Sequence, residues 1–325
     1  MKIKFPGKYG KDFGCCYGVE RSIELSEKVM EESDKEDGII AYSLGPLIHN
    51  PVEVERLKNE GIEPGEDFSK IIGKDKPVIV RAHGTLPKYE KQLEDKDLLY
   101  VMGDGTGSGT CPRVKGVQKL AENYAKKGWK VGIVGESEHP EVIGIMAHCR
   151  TDSVNYGLVF EGPEDIWKYC ADGMIESKDK LFLGSQTTQP EEKFNQTVEE
   201  CEKARVDGKF KEFKYMDTRC SATKDRQEAT IKLAKEADKI IVVGGKNSSN
   251  TTRLRELSDK FSDENTDVYH FERTDEIEKE CFDEDDKVGI TAGASTPKYQ
   301  IKDVVGKLIS EYKVENAEEI LKQFN

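Results

Sequence analysis

Three cysteines in this chain each stand directly before a run of helical periodicity. Cys16 opens "CYGVERSIELSEKVMEE", Cys111 opens "CPRVKGVQKLAENYAKKG" and Cys220 opens "CSATKDRQEATIKLAKEA". They lie 95 and 109 residues apart, from 16 to 111 and from 111 to 220. Zinc favours closely spaced pairs such as CxxC, which this spacing does not supply, and the adjacent Cys15 and Cys16 are too close to chelate one ion comfortably. Iron–sulfur clusters are held by thiolates, and a cubane with three protein cysteines keeps one iron open to substrate. A helix N-terminus behind each cysteine favours the ionised thiolate that binds iron. The competing chemistry is packing, because an unligated cysteine behaves as a small hydrophobe. Packing is the better reading for Cys149, Cys170, Cys201 and Cys281, which share no such position.

A second group of residues could hold an anion and move protons. His49, His83 and His139 fall at the ends of apolar runs, in "IHN", "AHG" and "EHPE", whereas His148 and His270 read as structural or solvated. Histidine can donate to a diphosphate oxygen without fixing a permanent charge, and it can relay protons near neutral pH. Ser248, Ser249 and Asn250 follow a strand and a double glycine in "GGKNSSNTTR", where backbone and side-chain donors can surround phosphate oxygens. Taken alone that run is an ordinary turn more often than a phosphate site, and Ser295 in "TAGAST" has the same bland reading. Glu141 stands out among 63 acidic residues only by its loop. In a closed apolar cavity its pKa would rise enough to make it a proton donor.

These residues need a scaffold that brings them together, and the chain repeats one plan three times. After each cysteine-led amphipathic helix, with apolar positions such as Val114, Val117, Leu120 and Tyr124, comes an apolar run and a polar loop: "GIIAYSLGPLIHNP", "WKVGIVGESEHPEV" and "KIIVVGGKNSSNTTR". A later apolar run closes each copy in "KPVIVRAHGT", "KLFLGSQTT" or "KVGITAGAST". Short apolar runs alternating with amphipathic helices predict parallel sheets covered on both faces. The predicted architecture is three α/β units over residues 14–110, 111–217 and 218–310, with terminal extensions at 1–13 and 311–325. Ligands of open parallel sheets bind outside the carboxyl ends of the strands. A pseudo-threefold trefoil with those ends inward would gather the three cysteines and the polar residues on one cavity.

Composition limits the function. The 325 residues allow two or three domains. A formal net charge of −13 with 35% charged residues disfavours nonspecific nucleic-acid binding. The sequence shows neither a membrane-spanning apolar stretch nor the apolar core of a secretory signal in "MKIKFPGKYG", so the chain reads as cytoplasmic with reduced thiols.

The ordered set "CYGVERS", "GPLIHN", "RAHG", "TCPRV", "HPEV", "SQTT", "CSATKDRQEA", "KNSSNTTRL" and "TAGAST" closely resembles the LytB/IspH family of 4-hydroxy-3-methylbut-2-enyl diphosphate reductases. The match runs in register from about residue 13 to residue 300. The resemblance implies a trefoil of three α/β domains around a 4Fe-4S cluster, with Cys16, Cys111 and Cys220 as its three ligands and one open iron. It implies that His49, His83, Ser248, Ser249, Asn250 and Ser295 hold the substrate diphosphate. His139 and Thr187 would line the cavity near the substrate hydroxyl, Glu141 would supply protons, and Thr223 corresponds to a pocket residue. The implied reaction is reductive dehydroxylation to isopentenyl and dimethylallyl diphosphates in the methylerythritol phosphate route to isoprenoids, with ferredoxin or flavodoxin as electron donor.

Two segments depart from the family pattern. "KYGKDFGCCYGV" has a second cysteine and extra residues; the downstream "YGVER" aligns with Cys16, and Cys15 stays open as a substitute. "DGTGSGTCP" replaces the usual aspartate-alanine-threonine-cysteine-proline before Cys111. A noncatalytic iron–sulfur sensor would need the cysteines but not Glu141 or the full set of diphosphate donors.

Overall fold

The apolar runs fold as short strands and the cysteine-led segments as helices. The computed structural model describes residues 1–33, 38–65, 67–101, 108–151 and 153–324. Positions 104–107 of the altered approach to Cys111 lie outside them. The elements of the first third are β1 (Lys2–Lys4), α1 (Tyr17–Glu32), β2 (Ala41–Leu44), α2 (Pro51–Asn59), β3 (Ile62–Gly65), α3 (Phe68–Ile71), β4 (Val78–Ile79) and α4 (Pro87–Asp95). The middle third carries α5 (Pro112–Lys126), β5 (Lys130–Val134), α6 (Pro140–His148), β6 (Gly157–Phe160), α7 (Asp165–Ala171), β7 (Lys180–Ser185), α8 (Glu191–Val206) and β8 (Glu212–Tyr215). The last third adds α9 (Ser221–Ala234), β9 (Lys239–Val243), α10 (Ser249–Phe261), β10 (Asp267–Phe271), β11 (Lys287–Ala292), α11 (Lys298–Glu311) and α12 (Ala317–Lys322). By compactness the chain divides into Met1–Glu66 with Ser221–Asn325, and Asp67–Cys220.

The strands of the described residues form three sheets, as the three-copy plan predicts. In the first compact unit β2 pairs in parallel with β3, Ala41 opposite Ile62. The same unit holds a four-stranded sheet in the order β1-β11-β9-β10, parallel throughout, with Ile290 and Tyr269 flanking Ile241. Ile240, Ile241, Val242 and Val243 are all fully buried, so both faces of β9 are covered. A strand in that position can be apolar at every residue, which is why no alternation shows in its sequence. The second unit holds the order β6-β5-β7-β8, again parallel, with Val159 and Gly184 flanking Ile133.

The helices cover these sheets as their periodicity predicts. On α5 the stripe begun by Val114 and Val117 continues through Ala121 and Ala125, all buried, while Leu120 and Tyr124 pack half-buried beside it. Pro112 and Pro140 occupy the first turns of α5 and α6, where a missing N–H costs nothing.

The terminal extension 1–13 supplies part of the β1-β11-β9-β10 sheet and its core. β1 adds an edge strand beside β11, Ile3 opposite Val288, and Phe5 stacks on Phe13 at 4.7 Å inside the same core. Asn316, just before α12, accepts from Ile3 N–H and donates to Ile3 O, tying the C-terminal segment to that edge. Three residues reading Lys-Ile-Lys carry no periodicity, so the strand is invisible until its partner is placed. Among the described residues, no helix is long and apolar enough to cross a membrane.

Candidate active site

In the second unit a carboxyl group is enclosed and held by a threonine. Glu141 is 1% exposed. It enters α6 just after Pro140, in the turn capped by His139, whose Nδ1 accepts the Glu141 N–H at 3.1 Å. Both carboxyl oxygens are held by one residue of the loop after β7: Thr187 N–H donates to Oε1 and Thr187 Oγ1 to Oε2, each at 2.7 Å. Burial pushes the Glu141 pKa up from its ordinary 4.5 to about 7, with the two Thr187 donors opposing the rise. A carboxyl poised there can hold a proton and release it near neutral pH.

His139 is arranged differently. Burial, together with the Arg81 charge, lowers its pKa to about 4, so the ring is neutral in the working range. Because Nδ1 accepts a backbone N–H, the ring proton sits on Nε2, which makes His139 a neutral donor there. The half-buried His83 ring meets it edge to face, centroids 5.5 Å apart.

In the first unit several of the expected anion-binding residues are linked by hydrogen bonds. Ser248 caps α10 by accepting Thr251 N–H, and its Oγ lies 3.4 Å from Ser295 Oγ, which donates to His49 O at 2.9 Å. Asn250 Oδ1 accepts Ala294 N–H at 2.8 Å, while its Nδ2 is buried with no hydrogen-bond partner among the described residues. A buried unpaired amide donor is costly unless a ligand satisfies it. Ser249 is half-buried at the start of α10, and Thr223 is buried on α9. Asn50, which sequence reasoning passed over, organises the group: it caps α2 and donates through Nδ2 to Ser295 O and Gln300 Oε1. The Asn-Pro pair at the head of a helix was its available signal.

The three singled-out cysteines share a position and a bond. Cys16 and Cys111 are the capping residues of α1 and α5, and Cys220 immediately precedes α9; all three are half-buried. Neither Cys16 nor Cys111 makes a side-chain cap bond, so capping does not explain the choice of residue. Each backbone N–H donates to the loop after a strand: Cys16 to Ala294 O at 3.0 Å, Cys111 to Ala82 O at 2.9 Å and Cys220 to Thr187 O at 2.9 Å. By contrast Cys15, Cys149 and Cys201 are buried, and burial raises the pKa of each, that of Cys149 to about 12. Cys170 lies within α7, and its pKa is raised by burial too.

The chain is similar to known proteins over most of its length. The chain is 39% identical over 297 residues to the 4-hydroxy-3-methylbut-2-enyl diphosphate reductase of Aquifex aeolicus, covering 91% of this chain and 93% of that one. It is 40% identical over 304 residues to the reductase of the same name from Dictyoglomus thermophilum, covering 93% and 96%. A solved structure of (E)-4-hydroxy-3-methyl-but-2-enyl diphosphate reductase, described as the terminal enzyme of the non-mevalonate pathway, superposes with a TM-score of 0.65 at 35% identity, covering 95% of this chain and 99% of that one. A Plasmodium falciparum structure at 23% identity, with a TM-score of 0.76 over 94% and 87%, shares the fold. The family model of the LytB protein matches residues 8–309, a span that takes in every cysteine, histidine and hydroxyl residue placed above, and the chain belongs to that family.

Proposed function

We propose that this chain is a 4-hydroxy-3-methylbut-2-enyl diphosphate reductase acting in isoprenoid biosynthesis. It takes up two electrons and two protons, breaks the allylic carbon–oxygen bond, and releases water with isopentenyl or dimethylallyl diphosphate. The observation that carries the reading is the buried Glu141 clasped by Thr187, a proton donor tuned to neutral pH in a chain with three alike helix-opening cysteines. The donor set suits a 4Fe-4S cluster held by Cys16, Cys111 and Cys220. Bound there, the cluster supplies the electrons and one open iron able to act as a Lewis acid on the substrate hydroxyl.

The chain's own residues do the rest. His49, His83, Ser248, Ser249, Asn250 and Ser295 hold the diphosphate, turning remote binding energy into placement of the hydroxyl. Glu141 gives its proton to the departing oxygen, Thr187 fixes the carboxyl in place, and His139 offers Nε2–H to the same end of the substrate. Thr223 lines the pocket. The electron donor is a ferredoxin or flavodoxin, and the enzyme works in the cytoplasm, where thiols and low-potential carriers stay reduced.

The test is an anaerobic assay of iron-reconstituted protein with the diphosphate and reduced methyl viologen. Two viologens oxidised per substrate, with five-carbon diphosphates formed, is the expected result. A full cluster without turnover would reject the reductase reading in favour of a sensor.

Asn250 gives a separate check on the diphosphate site. Asn250→Asp keeps the oxygen that accepts Ala294 N–H but sets a carboxylate in place of the unpaired amide donor. Calorimetry with inorganic diphosphate is expected to show affinity reduced by about 10- to 100-fold, the cost of a lost donor plus repulsion. Wild-type affinity in this variant would remove Asn250 from the site.

A further inference from the structure

Among the described residues, the largest fully buried side chain is a cation. Arg226 on α9 is 0% exposed. Its Nε and Nη2 donate to Gly14 O at 3.1 and 2.8 Å, Nη2 also to Gly10 O at 2.8 Å and Cys15 O at 3.1 Å, and Nη1 to Ala222 O at 2.8 Å. Three of these four acceptor residues belong to the loop that leads into Cys16. That loop can turn its carbonyls onto one guanidinium because Gly10 and Gly14 take φ of +80° and +75°. A side chain at Gly14 would in addition collide with the Tyr9 ring.

Main-chain carbonyls satisfy the N–H groups of a guanidinium but do not neutralise it. A fully buried arginine is rare without an anionic partner, and an uncompensated charge in the interior costs several kcal/mol. Among the described residues the acceptors of Arg226 are main-chain carbonyls, and Glu20, which feels its charge, is exposed on α1. The balancing charge should therefore arrive with a ligand, and the peptide that Arg226 grips at Cys15 O adjoins Cys16.

We propose that Arg226 is the positioning residue and counter-cation of the cluster site: it holds the 10–15 loop so that Cys16 presents its thiolate, and its charge offsets the negative charge of the thiolate-bound cluster. The inference rests on the reductase reading. It also explains why α9, which follows one cysteine in the chain, sends its buried cation to the loop before another.

The experiment uses the full chain, reconstituted anaerobically, as wild type, Arg226→Lys and Arg226→Met. Iron and sulfide per chain, circular dichroism and a reductive titration followed by electron paramagnetic resonance are the readouts. Both variants are expected to keep the fold and bind several-fold less iron. In chains that do hold a cluster, the midpoint is expected to fall in the methionine variant and to stay near wild type in the lysine variant, since a positive charge favours the reduced state. Wild-type iron content and midpoint in Arg226→Met would overturn the proposal. Should that variant not fold, the lysine variant decides: it keeps the charge but cannot span the Gly10, Gly14 and Cys15 carbonyls, and wild-type iron content in it would equally overturn the proposal. A wild-type chain that takes up no iron and sulfide would sink the reductase reading itself, and this one with it.

Discussion

Glu141→Gln is expected to leave iron content and fold intact while lowering turnover by about 10²- to 10⁴-fold, the usual range for a positioned general acid. The variant is a fair test because glutamine fits the same clasp. Thr187 N–H can still donate to an amide oxygen, and Thr187 Oγ1 can turn to accept from the amide nitrogen, so both 2.7 Å contacts survive without a transferable proton. The pH dependence follows from the same group. Burial raises its pKa to about 7, so the proton is present below that pH and lost above it. Wild-type turnover should fall as pH rises through about 7, and the limb should vanish from the residual activity of the variant. His139 cannot account for that limb, because its pKa of about 4 leaves it neutral on both sides. Stability carries the same sign. The raised pKa of the folded state contributes stability that is full below the unfolded value near 4.5 and lost as pH rises to about 7, at about 1.4 kcal/mol per pH unit. Denaturant midpoints at pH 5.5 and pH 8 should show the glutamine variant gaining on wild type at the higher pH. Equal turnover in the two proteins would remove Glu141 from the mechanism.

What could be read before the structure follows from how local each signal is. The threefold plan was legible because an amphipathic helix and an apolar strand each announce themselves within about fifteen residues, and because a cysteine marked the same point in every copy. Glu141 was legible as a candidate through its place beside His139, but its clasp was not: Thr187 lies 46 positions away and reaches it only when β5 and β7 pair. β1 was hidden for a related reason, since three residues pairing with Lys287–Gly289 at the other end of the chain hold no pattern of their own. Arg226 was passed over because a charged residue on a helix is solvated by default, and only the glycine loop folding over it reverses that. Long-range polar bonds of this kind specify the site, whereas the apolar pattern specifies the sheets.

Replacing Cys16, Cys111 or Cys220 by serine is expected to abolish turnover and strip most bound iron, while serine at Cys149 or Cys201 should leave both nearly unchanged in the folded fraction. The contrast rests on placement. The first three stand half-buried at helix N-termini, and the other two are buried, with Cys149 Sγ donating to Ile145 O. The sharpest comparison is between neighbours. Cys15 is 1% exposed and hydrogen-bonded to the Tyr9 side chain, so its thiol is occupied in packing, whereas Cys16 opens α1. Cys15→Ser should therefore lower stability by about 1–3 kcal/mol, the cost of placing a less well satisfied hydroxyl in an apolar site, and retain iron. Cys16→Ser should lose iron without that loss of stability. Iron and sulfide analysis beside thermal unfolding separates the two effects. If instead Cys15→Ser loses the iron and Cys16→Ser keeps it, the extra residues in "KYGKDFGCC" have shifted the ligand by one position, and the loop held by Arg226 would have to reverse a peptide to present it.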